Sequence, residues 1–350
     1  MNSSFPQLSI FLLAGIICII VLTVKFRVHP FFALIIACFV TGLGVQLPVA
    51  EILSLIKIGF GDVMSKLAII IVLGTTIGVL LEKNGSTQVM AASILKFVGE
   101  KNSSLALSFT GFIVGLPIFC DSGYIVLNGI NKSLIKRTGI AAATMSISLA
   151  SGLYAVHCLI PPHPGATAAA GTLAVDFGKL ILYGIMIAIP AMLIGHWWAV
   201  VAGKKTNSDV ESGEEAEKVL SGPKIVPAFL PVIIPILLMA LRSVLVFEKN
   251  QTGLLTDAID IAGDPAVALA IGVLLAIVTG KNSKYSLALQ LSAAVEKAGG
   301  ILVIIGAGGA FGAVLAATNI GDHFSEKLDL KMLGIFFPFL LTSLIKTAQG

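Results

Sequence analysis

The run GLPIFCDSGY, residues 115–124, places a carboxylate beside a helix break within a long apolar stretch, 103–130. An ionisable group at membrane depth costs about 3 kcal/mol even on lenient insertion scales, so it is usually kept for function. Pro117 and the flanking glycines interrupt the helix close to Asp121. A second break, IPPHPG at 160–165, follows in the next apolar segment. Two broken apolar segments that carry Asp and His are typical of a transport site.

The composition predicts an all-α polytopic membrane protein. Hydrophobic residues make up 56% of the 350 residues and charged residues 12%, whereas a soluble domain carries about 25% charge. Apolar runs of roughly 17–25 residues, long enough to span a bilayer, recur along the chain. The predicted spans outside the two broken segments are 8–24, 30–47, 67–81, 180–202, 225–247, 265–280 and 299–317, with amphipathic stretches at 51–66, 86–101 and 281–297.

The sequence lacks the motifs of soluble enzymes. It has no Walker sequence, zinc motif or nucleophile elbow, and its four cysteines lack metal-ligand spacing. The net charge of +4 reflects lysines at cytoplasmic helix ends rather than a nucleic-acid surface. We therefore expect no enzyme activity, no cofactor, no metal and no nucleic-acid partner. The expected partners are a small anionic substrate and the lipid bilayer.

The positions of Lys and Arg predict that 103–130 is a re-entrant hairpin. If this segment crossed the membrane once, Lys132, Lys136 and Arg137 would lie outside, against the positive-inside rule. If it dips in and returns, with its tip near 117–122, these residues stay inside with most of the other basic residues.

An internal repeat supports the same topology. Residues 67–81, LAIIIVLGTTIGVLL, resemble residues 301–315, ILVIIGAGGAFGAVL. Chance similarity between two glycine-containing apolar helices is the alternative, but matching segment order and opposite predicted orientation favour an inverted repeat. The predicted domains are a first repeat, 1–202, with the hairpin at about 103–130 and a broken helix at about 140–175; a cytoplasmic linker, 203–224; and a second repeat, 225–350. The second copy stops where the first reaches its hairpin tip, so it is predicted to be incomplete and the chain truncated.

Asp121 and His163 are the candidate proton-coupling residues. Asp121 could carry a proton or coordinate a cation, or it could only cap a half-helix. His163, between two prolines, titrates near neutrality, or it could only satisfy the broken backbone. The helix that follows would present free N–H groups to an anion, and Thr167 would add a hydroxyl.

Lys346 is the candidate positive charge of the second half. The alternative is a lysine that snorkels from a helix end to the interface. Arg242, near a span end, is predicted to snorkel, and His196, beside Trp197 and Trp198, is predicted to belong to an interfacial aromatic belt. The role of His157 is left open.

Three motifs together resemble the gluconate permease family of bacterial inner-membrane symporters. They are GLPIFCD at 115–121, PPHPG at 161–165 and LIKTAQG at 344–350, and KFRVHPF at 25–31 is similar too. The resemblance covers essentially the whole chain. It implies an inverted-repeat secondary transporter of the ion transporter superfamily, with paired re-entrant hairpins, broken helices and an elevator-like movement, and a homodimer.

The resemblance implies proton-coupled uptake of gluconate or a related sugar acid across the inner membrane. Sodium fits as an alternative coupling ion, and the alternative functions are transport of D-serine, glycerate or fructuronate, or none in an inactive truncated fragment. The substrate would lie between the tips at 117–123 and 345–350. The predicted substrate-binding residues are Asp121, Ser122, His163, Thr167, Lys346, Thr347 and Gln349. The predicted hairpin and break positions are Pro117, Gly123, Pro161, Pro162, Pro164 and Gly165.

Overall fold

The computed structural model describes residues 5–99, 102–203, 223–245, 254–280, 285–318 and 336. These residues are almost entirely helical, with no β-strand in the described ranges, which confirms the predicted all-α fold class. The helices are α1 Phe5–Ile20, α2 Pro30–Gly44, α3 Val49–Lys83, α4 Ser86–Val98, α5 Ser103–Gly115, α6 Cys120–Thr138, α7 Ala142–Leu159, α8 Pro164–Leu173, α9 Phe177–Gly203, α10 Ile225–Leu245, α11 Leu254–Ala262, α12 Pro265–Thr279 and α13 Leu287–Ala317.

Six segments of the described chain are long and apolar enough to cross a membrane. They are Pro6–Lys25, Val49–Lys83, Ala142–Leu173, Phe177–Gly203, Ile225–Val244 and Leu287–Ala317. A bent pair, Thr256–Ala262 and Pro265–Thr279, meets at 73° and adds a seventh if it forms one span. A polytopic membrane protein is therefore confirmed.

Two predicted amphipathic stretches continue into the spans that follow them. Residues 51–66 and 67–81 lie in one 35-residue helix, α3. Residues 287–297 likewise continue into the next span in the 31-residue helix α13. A change from polar to apolar composition does not end a helix when no proline removes a backbone donor.

The chain divides into two compact units. The first comprises 1–66 and 300–350, and its core includes Leu8, Ala37, Cys38, Val45, Ile52, Phe311 and Val314. The second comprises 67–299, so it takes in the last part of α3 and the first part of α13. The predicted inverted repeat, with its boundaries at 202 and 225, stays a prediction.

The core of the second unit holds the candidate hairpin in place. Helix α5 packs against α7, which in turn packs against α9. Leu107 of α5 and Leu149 and Leu153 of α7 are almost completely buried. One arm of the hairpin is therefore anchored to the helix that leads into the second break.

Candidate functional site

Both predicted helix breaks lie in this second unit. The chain leaves α5 after Gly115 and begins α6 at Cys120; it leaves α7 after Leu159 and begins α8 at Pro164. Proline explains both interruptions, because it lacks the N–H that a helix interior needs. Pro117 lies in the first gap, and Pro161 and Pro162 lie in the second, joined by a cis peptide bond. Helix α6 continues to Thr138, beyond the predicted hairpin end at 130. That the two arms enter from one face of the membrane stays a prediction.

Helix α3 carries two glycines that face the two breaks. A Cβ added to Gly74 would lie 2.7 Å from Pro162 Cβ. A Cβ added to Gly78 would overlap the carbonyl oxygen of Pro117. Residues four apart share one face of a helix, so one glycine stripe receives both interruptions.

Two histidines meet where α7 ends. Their Nδ1 atoms are 3.3 Å apart, and Nε2 of His163 lies 2.7 Å from the carbonyl oxygen of Gly115. A carbonyl can only accept, so Nε2 of His163 must donate a hydrogen. A neutral His163 then has an unprotonated Nδ1, which assigns the hydrogen between the rings to Nδ1 of His157.

This assignment distinguishes the two imidazoles. Nε2 of neutral His157 is the basic nitrogen of the pair that neither bond uses. A proton added there leaves both bonds intact, whereas a proton added to Nδ1 of His163 would set two N–H groups against each other. His163 is 3% exposed and His157 is half-buried, so His157 is also the more accessible. The sequence left its role open.

His163 does satisfy the broken backbone, as one interpretation of the sequence expects. Gly115 O is one of the last carbonyls of α5 and lacks a helical partner, and His163 donates to it. It is also the N-cap residue of α8, but its side chain accepts no capping bond there. Its ring points across to the hairpin instead.

Asp121 lies in the first turn of α6, where the helix dipole favours a negative charge. The N-cap is Phe119, so Asp121 does not play the capping role considered above. Among the described residues, the hydrogen bond to its carboxylate comes from the Cys120 thiol, with Sγ and Oδ1 3.5 Å apart. Its side chain is exposed, and its charge acts on His157.

Thr167 is fully buried in the first turns of α8. Its backbone N–H donates to the carbonyl of His163, at 2.9 Å, but its hydroxyl has no hydrogen-bond partner in the described part of the chain. A buried unpaired hydroxyl is costly, which makes Thr167 a candidate to meet a ligand group.

The predicted break positions that remain have structural roles by their placement. Gly123 packs against Leu153, with an added Cβ 2.7 Å from its Cδ2. Pro161 is buried, Pro164 begins α8 and Gly165 is exposed. Lys346, Thr347 and Gln349 lie outside the described residues.

The structure adds a cation that sequence reasoning missed. The ammonium of Lys297, on α13, contacts the hydroxyl of Ser122. It also lies 5.1 Å from the centroid of the Phe119 ring. The Phe119 ring makes an edge contact with each histidine, with 6.0 Å between its centroid and that of His157 and 6.0 Å to that of His163. Lys297, the hairpin tip and the histidine pair therefore form one cluster.

The side chain of His196 points inward, unlike those of its neighbours Trp197 and Trp198. Trp197 and Trp198 are exposed, as a belt requires, but His196 Nδ1 lies 3.1 Å from Ser148 Oγ and 3.3 Å from Ser108 Oγ. The belt interpretation is wrong for His196, because successive helix residues point about 100° apart and its side chain turns inward.

Cavities in the described part of this unit differ in polarity. One cavity adjoins both breaks and is lined by Gly74, Leu116, Pro117, Pro162, Pro231 and Pro235. Its walls are apolar, so it does not fit a polyhydroxy acid. A more polar cavity lies between Asn84, Tyr285 and Gln290, away from the histidines. Within the described ranges, no three His, Cys, Asp or Glu side chains are grouped to hold a metal ion.

Comparison with known proteins finds relatives along almost the whole chain. Residues 7–350 match the model of the GntP family of permeases. An uncharacterized permease of Haemophilus influenzae is 32% identical, over 97% of this chain and 74% of the relative. A gluconate permease of Pseudomonas aeruginosa is 32% identical, over 97% and 78%. A D-serine transporter of Escherichia coli O6:H1 is 29% identical, over 97% and 78%.

Proposed function

Because this chain belongs to the GntP family of permeases, we propose that it carries gluconate or a related hydroxy-carboxylate into the cell together with protons. The family match and the apolar segments make it a multi-pass transporter of the bacterial inner membrane, not an enzyme. The observation that carries the proposal is the bond from His163 to Gly115, because it joins the second break to the end of α5 beside a second imidazole whose Nε2 takes part in neither bond.

An acid substrate is supported by the two helix starts at the breaks. Helices α6 and α8 both begin there, and a helix N-terminus offers unpaired N–H groups and a positive dipole end to an anion. The relatives named for gluconate and D-serine carry substrates with a carboxylate in common. The unpaired hydroxyl of Thr167 adds a group that could meet a substrate hydroxyl.

Proton coupling is supported by the histidine pair, with His157 Nε2 as the atom that receives the proton. The titratable and charged groups around it are Asp121 and Cys120 on α6, Tyr154 and Cys158 on α7, His163 at the break, and Lys297 beyond Phe119. A negative Asp121 attracts the proton, and a protonated His157 offsets the charge of an incoming acid. Proton and substrate would then load together.

The first experiment measures uptake of labelled gluconate by cells that lack their own gluconate permeases. We expect accumulation that a protonophore abolishes and that replacement of sodium by choline at constant pH leaves unchanged. Accumulation that survives the protonophore but requires sodium would overturn proton coupling. Failure to take up gluconate by protein that reaches the membrane would overturn the substrate, and labelled D-serine is then tested because a relative bears that name.

His157→Gln separates coupling from binding. We expect it to lose accumulation against a gradient but to retain gluconate exchange between two sides at equal pH, because exchange needs no net proton movement. His163→Gln should lose both, since it unties the break from Gly115. His29→Gln is the matched control, because His29 lies at the exposed start of α2 and belongs to the first unit. Wild-type accumulation by His157→Gln would overturn its role.

A further inference from the structure

Lys297 differs from the other charged side chains described in the second unit because of what surrounds it. At 1.5 Å per residue it lies about 15 Å along α13 from Leu287, and it is half-buried between the fully buried Ala294 and Ala298. Removing an ammonium group from water is costly unless an anion or hydrogen-bond acceptors compensate it.

The partners of Lys297 compensate only part of that charge. One N–H of its ammonium points to Ser122 Oγ, and the face of Phe119 lies 5.1 Å from Nζ. Both groups are uncharged, and an ammonium has three donors. In the part of the chain that the structure describes, no carboxylate oxygen lies within 4.0 Å of Lys297 Nζ.

The first turn of α6 brings a helix N-terminus and the Asp121 carboxylate to this region, and that carboxylate lies more than 4.0 Å from Lys297 Nζ. Ser122 is in the first turn of α6, whose N-terminal N–H groups and dipole attract an anion and repel a cation. Asp121 makes no ion pair with Lys297, so the contact between Lys297 and Ser122 leaves room for a further anion at this helix start. Ser122 can supply its own hydrogen to that group while its oxygen accepts from Lys297.

We propose that Lys297 and Ser122 bind the carboxylate of the transported acid at the tip of the α5–α6 hairpin. This inference rests on the proposed function, and it gives the positive charge at the substrate to a residue that no motif singled out. The hydroxyls of the substrate would then extend toward the histidine pair on the other side of Phe119. Lys297 acts as a binding residue, and its contact with Ser122 sets where the carboxylate lies.

The test compares gluconate with gluconamide, which has the same hydroxyls and no charge. Binding of both to the purified full chain in detergent is measured by competition against labelled gluconate, or directly by calorimetry. We expect Lys297→Gln to weaken gluconate binding about 10- to 100-fold, the usual range for a lost charged hydrogen bond. Gluconamide binding should stay within about twofold of its wild-type value, and Lys297→Arg should restore gluconate binding in part. Lys66→Gln is the matched control, since Lys66 is exposed and pairs with Asp62.

Each outcome decides between a binding role and a structural one. If Lys297→Gln binds gluconate as the wild type does, the inference is overturned and the lysine is compensated elsewhere. If gluconate and gluconamide weaken in parallel, Lys297 only supports the hairpin, and the inference is overturned as well. If the wild type binds neither gluconate nor D-serine, the proposed function fails first and the carboxylate assignment falls with it.

Discussion

Arg242 and Lys297 are both basic residues on apolar helices of the second unit, but their surroundings differ. Arg242 Nε lies 2.8 Å from Asp260 Oδ1, and its Nη1 lies 3.6 Å from Asp264 Oδ2. Lys297 meets a hydroxyl and an aromatic ring. The prediction that Arg242 simply snorkels to the interface was incomplete, because α11 and the start of α12 bring two carboxylates to it.

The charge of Arg242 is compensated within the fold, whereas we propose that the charge of Lys297 is compensated by a bound substrate. Arg242 already has its counterions, so it can join α10 to the α11–α12 corner without any substrate. Lys297 has none within reach among the described residues. Arg242 and Lys297 are therefore distinguished by charge compensation rather than by depth or sequence position. Mutation can add or remove the compensating carboxylate.

Ser122→Asp should have the largest effect, because it gives Lys297 the internal carboxylate that Arg242 already has. An aspartate at the contact would compete with the substrate at a high effective concentration. We expect gluconate uptake to fall more than about tenfold and the Tm in detergent to rise by ~2 °C. Ser122→Asn, of the same size and uncharged, is the control and should not raise the Tm. Wild-type uptake by Ser122→Asp would contradict the proposal that Lys297, unlike Arg242, needs the substrate carboxylate to compensate its charge.

Arg242→Met should have an intermediate effect, on stability rather than on transport. The ion pairs are partly exposed, with 29% of the Arg242 side chain and 56% of the Asp260 side chain accessible, so their loss should cost about 1 kcal/mol. We expect the Tm to fall by ~2–4 °C, with uptake per folded molecule within about twofold of wild type. The comparison would break if Arg242→Met lost gluconate binding as Lys297→Gln is expected to.

Asp264→Asn should have the smallest effect. Asp264 caps α12 by accepting from the N–H of Ala266, at 2.9 Å, and an asparagine caps a helix about as well. The substitution therefore isolates the 3.6 Å contact with Arg242. We expect a loss of about 0.5 kcal/mol or less by thermal unfolding and normal uptake. A loss as large as that of Arg242→Met would mean that Asp264, not Asp260, is the main counterion.

The fold class and the two breaks could be predicted from sequence because each depends on local chemistry. Composition and span length indicate membrane helices, and Pro117 and the prolines at 161–164 remove backbone donors wherever they lie. The roles of charged side chains could not be predicted in this way. Lys297 and Ser122 are far apart in the chain, and only tertiary packing brings them together.

The two histidines show the same limit at short range. His157 and His163 are six residues apart, a spacing that would put them on different faces of a continuous helix. The break between them turns the chain, and their rings come to 4.7 Å between centroids. Local sequence indicates that a break exists but not which side chains it brings together.

The glycine stripe of α3, Gly74 and Gly78, fixes the spacing between the two breaks. Gly74 and Gly78 are one turn apart, so the two chain interruptions they receive are held at a spacing of about 6 Å along one axis. The direction in which the two glycines face is fixed as well, because one residue inserted at 75–76 would rotate Gly78 about 100° away from the face that carries Gly74. Changes in substrate specificity on this scaffold can therefore alter the side chains near the two breaks, while the spacing of the breaks is set by the backbone of α3.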